Sequence, residues 1–178
     1  MPETTLLCKE FANPCPAASV LPSGTSIEGT GELKFTFGIF GTISCPESTV
    51  STATSAETGN PLPGTMTSVT LVGCKGCTSI KFTNLPYKTS IEPTTGGNGK
   101  ETVKFAEIEF SGCPLGTTCT YEGTMPLELK GGEFPSLIAN QVEMPRLKGG
   151  GNCGEKLTIN ATWQSTTKNP IWVARMKA

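Results

Sequence analysis

Eight cysteines carry most of the chemical capacity of this chain: Cys8, Cys15, Cys45, Cys74, Cys77, Cys113, Cys119 and Cys153. A thiol serves as a redox group, a metal ligand or half of a disulfide, and spacing helps to separate the three. Cys74-Lys75-Gly76-Cys77 has the C-x-x-C form of a redox pair. A redox role needs a helix N-terminus to lower the thiol pKa, and both flanks here read as strand. Cys74, Cys77, Cys113 and Cys119 have the count for a four-thiolate zinc site. Only the first half of that set has the spacing, and the other cysteines would go unexplained. Disulfides account for every cysteine. Cys8–Cys15, Cys74–Cys77 and Cys113–Cys119 are local couples across turn residues, and a tight turn brings its ends within about 7 Å, compatible with a disulfide. Cys45 and Cys153 then pair by elimination. On a loop-entropy argument each local bridge contributes about 2 kcal/mol and the long one nearer ~5 kcal/mol.

Other candidates are fewer. Glu107 and Glu109 stand at i and i+2, on one face of a strand, as a carboxylate pair for hydrolysis would. No aromatic platform accompanies them, and acidic residues on the wet face of a strand are ordinary. Asn160-Ala161-Thr162 fits the glycosylation sequon and reads equally as a solvated, Thr-rich strand face. Alternation assigns Phe35, Phe37, Phe40, Phe82, Phe105, Phe110 and Trp163 to the core. Trp172, in Pro170-Ile-Trp-Val173, faces away from Ile171 and Val173 and reads as core or inter-sheet packing, with an exposed ligand contact as the alternative. The chain has no histidine. That removes Ser-His-Asp and Cys-His triads, histidine acid–base chemistry and imidazole metal sites. We expect no catalytic residue, no cofactor and no metal.

The elements that must position these residues are short β runs broken by turn clusters. In Lys156–Trp163, Leu157, Ile159, Ala161 and Trp163 share one face, with Thr158, Asn160 and Thr162 on the other. Glu32–Phe37 repeats the pattern with Leu33, Phe35 and Phe37. In Thr102–Phe110 the apolar parity shifts, which predicts a β-bulge near Ala106-Glu107. Further strands are expected over Ile39–Cys45, Thr67–Val72, Thr78–Phe82, Thr120–Leu129, Leu137–Val142 and Ile171–Arg175. Pro61–Gly64, Gly96–Gly99, Gly131-Gly132 and Gly149–Asn152 read as loops, and Glu133–Gln141 is the one stretch that reads as a helical turn. The Thr-rich run Ser48–Ser55 reads as a sheet edge open to β-augmentation, or simply as a wet face. Val69–Cys74 and Ile108–Cys113 both end a β run on Gly-Cys, and each is followed by a second cysteine and a threonine.

The 178 residues suffice for a single domain, 1–178, with a real core. Charged residues are only 16% and the net charge is −1, without the basic footprint that phosphate binding needs. No apolar run approaches a membrane span. We therefore expect neither nucleic-acid binding nor membrane insertion. Disulfide-rich chains belong to oxidising compartments. No secretory apolar region opens the chain, so Met1–Thr5 reads as an added start on a domain whose export signal has been removed.

Several segments resemble a loose family of uncharacterised, secreted, cysteine-paired β-rich proteins of soil actinobacteria. They are Thr4–Lys9 with Cys15, Ile43–Ser48, Ser111-Gly-Cys113 with Cys119-Thr-Tyr121, and Ala161-Thr-Trp163 followed by Pro170–Ala174. The resemblance implies an extracellular or cell-surface setting and supplies no activity. The fold expected is a disulfide-stapled β-sandwich, with a flattened β-barrel as the alternative. The expected role is a non-catalytic extracellular module, structural, adhesive or self-associating through edge strands; the alternative is a small-ligand or glycan-binding module using Trp172.

Overall fold

The computed structural model of the protein describes residues 4–176. Its strands in chain order are β1 (Thr4–Cys8), β2 (Ser26–Phe37), β3 (Thr42–Thr54), β4 (Thr58–Gly59), β5 (Leu62–Val72), β6 (Ser79–Thr83), β7 (Tyr87–Pro93), β8 (Gly99–Cys113), β9 (Thr117–Lys130), β10 (Ser136–Lys148), β11 (Lys156–Gln164) and β12 (Trp172–Met176). The described residues contain short 3₁₀ turns and no α-helix.

Eight strands form one closed antiparallel barrel in the order β2-β3-β5-β7-β8-β9-β10-β11, and β11 pairs back onto β2. This is an up-and-down meander. β6 prolongs the β7 side of the barrel: β7 pairs with Gly99–Val103 of β8, and β6 with Glu107–Ser111. The expected sandwich is therefore not what forms; the barrel alternative is. Both architectures bury one face of every strand, so alternation alone does not distinguish them. Closure is helped by extra residues that increase coiling. On β3, Pro46 and Glu47 lie between buried Cys45 and buried Ser48, where the register with β2 slips. On β8, Lys104 and Phe105 play the same part, and on β10, Asn140 and Gln141.

Several local expectations are corrected by this sheet. The β8 bulge expected near Ala106-Glu107 is present, at Lys104-Phe105 immediately before them. Phe105 there takes φ +55° and is 75% exposed, so it is not a core residue. The segment 133–141 is not helical, because Ser136 onward is zipped between β9 and β11. Leu62–Gly64 belongs to β5, whereas Gly38–Phe40 is a 3₁₀ turn before β3. Ser48–Ser55 is no edge: its residues through Thr54 lie in β3, paired with β2 on one side and β5 on the other.

The barrel interior is a packed core. Trp163, Tyr121, Phe35, Phe110, Met66 and Met125 are fully buried. Outward positions are dominated by Thr, Ser, Lys and Glu, the reverse of a barrel that faces lipid. The remaining sheet, β12-β1-β4, packs at the end of the barrel where β7 turns into β8 and β9 into β10, through Val173 N–H to the Gly97 carbonyl and the Gly132–Ile171 bridge. Leu7 joins the main core, while Leu6 and Cys8 turn the other way to pack with Cys15, Val20 and Ala174.

Four disulfides form, but only Cys8–Cys15 joins the expected partners, at a Cα separation of 5.9 Å. Cys45 bonds Cys74, Cys77 bonds Cys113, and Cys119 bonds Cys153. The local couples Cys74–Cys77 and Cys113–Cys119 and the long tether Cys45–Cys153 are thus overturned. The physical reason is the meander. Alternate strand ends return to the same rim, so the nearest sulfur lies across a strand pair and not along a turn. Cys74-Lys75-Gly76-Cys77 accordingly sends one cysteine to β3 and the other to the end of β8. The three sequence separations, 29, 36 and 34, are each the length of a rim-to-rim excursion. Every cysteine is bonded, so none remains as a redox or zinc-binding thiolate.

Candidate ligand cleft at the capped end

Trp172 opens β12 opposite Cys8 of β1. Strand parity sends Ile171 and Val173 into the buried interior and leaves the indole half-buried on the other side. Its bed is made of backbone. Gly97 takes φ +80°, and a Cβ there would come within 2.6 Å of Trp172 Cδ1; a Cβ on Gly131 would stand 2.8 Å from the same atom. Only glycine lets the two turns approach the ring this closely. The bed is held by hydrogen bonds: the Val173 N–H donates to the Gly97 carbonyl (2.8 Å), and the Gly131 N–H donates to Asn98 Oδ1 (2.9 Å).

The opposite wall comes from the loop that Cys8–Cys15 closes. Phe11, 68% exposed, stands with its ring centroid 6.5 Å from that of Trp172, tilted by 52°. Asn13 is tied in by the Arg175 N–H, which donates to its Oδ1 (3.1 Å). Together with Thr94 and Gly96 these residues enclose a cleft of about 340 Å³. Two aromatic faces with a few polar groups at the rim suit a small, partly apolar, hydroxyl-bearing ligand. The face of Trp172 relative to Ile171 and Val173 was legible from parity, but its exposure was not. Phe11 was not legible, because it lies in an irregular loop whose position depends on the disulfide.

The other sequence candidates lie elsewhere and are not brought together. Glu107 and Glu109 sit on the outward face of β8 beside β6. Thr83 Oγ1 donates to the Glu107 carboxylate (2.7 Å), and Lys81 stands 3.8 Å from that of Glu109. Both carboxylates have cross-strand partners, far from the aromatic cleft along the strand. Asn160, of the sequon, lies on β11 and accepts the Gln141 N–H through Oδ1 (2.8 Å).

One chemical residue was missed by the sequence reading. Glu101 points into the barrel among Thr52 and Thr89 and is 1% exposed. Desolvation pushes its carboxyl up to about 7, and the neighbouring threonine hydroxyls offset part of that rise. Neither Glu101 Oε2 nor Thr89 Oγ1 reaches hydrogen-bond geometry with a partner. Among the described residues it is the only charged side chain that is buried. The signal existed: Gly99, Glu101 and Val103 share the inward parity of β8.

With the geometry in place, the class is clear: a closed, eight-stranded antiparallel barrel with a filled lumen, a disulfide rim and a small capping sheet. No family model, curated protein or solved structure matches the chain.

Proposed function

We propose that this protein is a non-catalytic extracellular or cell-surface adhesive module that binds a small hydroxyl-rich ligand, a glycan, in the cleft between Trp172 and Phe11. The observation that carries the reading is the indole, seated on Gly97 and Gly131 and faced by a strongly exposed Phe11. A ring left half-exposed on a built bed and lining a cleft can meet a ligand, whereas a ring that serves only packing is covered. The filled lumen leaves no room for a ligand inside the barrel, so binding falls to the outside.

The four disulfides indicate an oxidising environment, which supports export. Self-association through a Thr-rich edge loses its carrier, since β3 is paired on both sides. Tryptophan fluorescence tests the cleft directly. Trp163 is buried and donates to Ser48 Oγ (3.1 Å), so a ligand-dependent change reports on Trp172. We expect a saturable change with at least one member of a glycan panel, abolished in Trp172→Ala. An unchanged spectrum across the panel would sink the reading.

A further inference from the structure

Two further depressions adjoin the cleft on the outer wall of the barrel. The first shares Thr94 with the cleft and runs past Lys100, Pro126 and Glu128. The second shares Glu128, Ile138 and Asn140 with the first and continues to Asn160, Thr162 and Lys34. Sheet register explains the continuity. Lys100 lies opposite Glu128, Glu128 opposite Ile138, and Ile138 opposite Thr162; Asn160 then lies opposite Lys34. These outward side chains form one track across β8, β9, β10, β11 and β2. Five strands spaced about 4.8 Å apart span about 19 Å, the reach of a chain of several sugar rings.

Resting on the reading above, we infer that the ligand is a linear, uncharged oligosaccharide that leaves the Trp172–Phe11 cleft and crosses the barrel wall along this track. The chemistry of the lining selects that class. Glu32 and Glu128 balance Lys34 and Lys100, and Glu32 and Lys34 stand 3.4 Å apart as an ion pair. Such a balanced lining offers no net attraction to a polyanion or a polycation. Pro126 and Ile138 offer apolar surface to ring faces, while the amides and carboxylates suit hydroxyl groups. The bulge at Asn140-Gln141 engages Asn160 Oδ1 and leaves its NH₂ as the group to meet a ligand. A peptide binding by strand addition needs an open sheet edge. Every strand under this track is paired on both sides, so the track has none to offer.

The test is calorimetric titration of the oxidised, intact protein with neutral linear glucan, mannan, xylan and chitin oligosaccharides of two to eight units. We expect affinity to rise at least tenfold between two and six units in one series. The exposed double variant Glu128→Ala/Asn140→Ala should lower binding of the six-unit chain about tenfold and that of the two-unit chain less than twofold. Trp172→Ala should weaken both. If two and six units bind equally, and only Trp172→Ala weakens them, the cleft stands and the track is overturned. Binding of none of the series overturns the track and the cleft together. Tighter binding of an extended peptide than of any oligosaccharide also overturns the inference.

Discussion

The two ends of the barrel are built on opposite terms. One rim gathers Cys45–Cys74, Cys77–Cys113 and Cys119–Cys153 above a plug of rings. There Phe110 meets Phe35 edge-on at 5.0 Å and Phe37 at 4.3 Å, and the Tyr121 hydroxyl donates to the Cys153 carbonyl. The other end is closed by a three-stranded sheet and has a single short-loop disulfide, a half-exposed indole and a buried carboxyl whose Oε2 lacks a hydrogen-bond partner. Rigid covalent closure is concentrated away from the cleft. Stapling and the proposed binding cleft are thus separated along the barrel axis, with only Cys8–Cys15 at the cleft end.

Breaking one bridge at the disulfide rim should have the largest effect on stability. For Cys119→Ser/Cys153→Ser, whose loop spans 34 residues, the loop-entropy argument predicts a loss of about 4 kcal/mol. Denaturant unfolding under oxidising conditions measures it, and ligand binding at the far end should survive in buffer. Loss of binding in the folded variant would show that the two ends are not independent.

Next in size is the buried carboxyl. Glu101 has a folded-state pKa of about 7 against an ordinary 4.5. Between those values the unfolded chain gives up the proton while the folded barrel keeps it. Stability is therefore unaffected below about pH 4.5, falls as pH rises toward 7, and levels off above. The shift corresponds to about 3 kcal/mol. Glu101→Gln should stabilise the protein by about that amount more at pH 8 than at pH 4, measured by urea melts at both. Equal effects at the two pH values would mean that Glu101 ionises freely inside the barrel.

The smallest stability change expected is at the bridge nearest the proposed cleft. Cys8→Ser/Cys15→Ser opens a loop with a sequence separation of only 7, for a loss of about 2.5 kcal/mol. Its signature is functional: Phe11 and Asn13 lose their anchor, so glycan affinity should drop while the melting transition moves less than for the rim bridge. A large stability loss with intact affinity would reverse the contrast between the ends.

Strand content, the inward rows Leu33-Phe35-Phe37 and Leu157-Ile159-Ala161-Trp163, and the orientation of Trp172 were legible locally, because side-chain parity is a property of the strand itself. The oxidised state of the cysteines followed from their number. What stayed hidden depends on which strands become neighbours. Alternation is the same in a sandwich and in a barrel, so closure of β11 onto β2 was decided by register and bulges. Cysteine partners were decided by the rim to which each strand returns, which overruled proximity along the chain. Phe105 was carried to the surface by a bulge whose position depends on pairing with β9. The cleft needed all of this at once, since its walls come from the first fifteen residues, the turn before β8 and the last strand. The sequence by itself determined a disulfide-bonded β protein with Trp172 on the strand face opposite Ile171 and Val173; only the tertiary structure left that indole half-buried and gave it a bed and a facing phenylalanine, because those contacts join segments far apart in the chain.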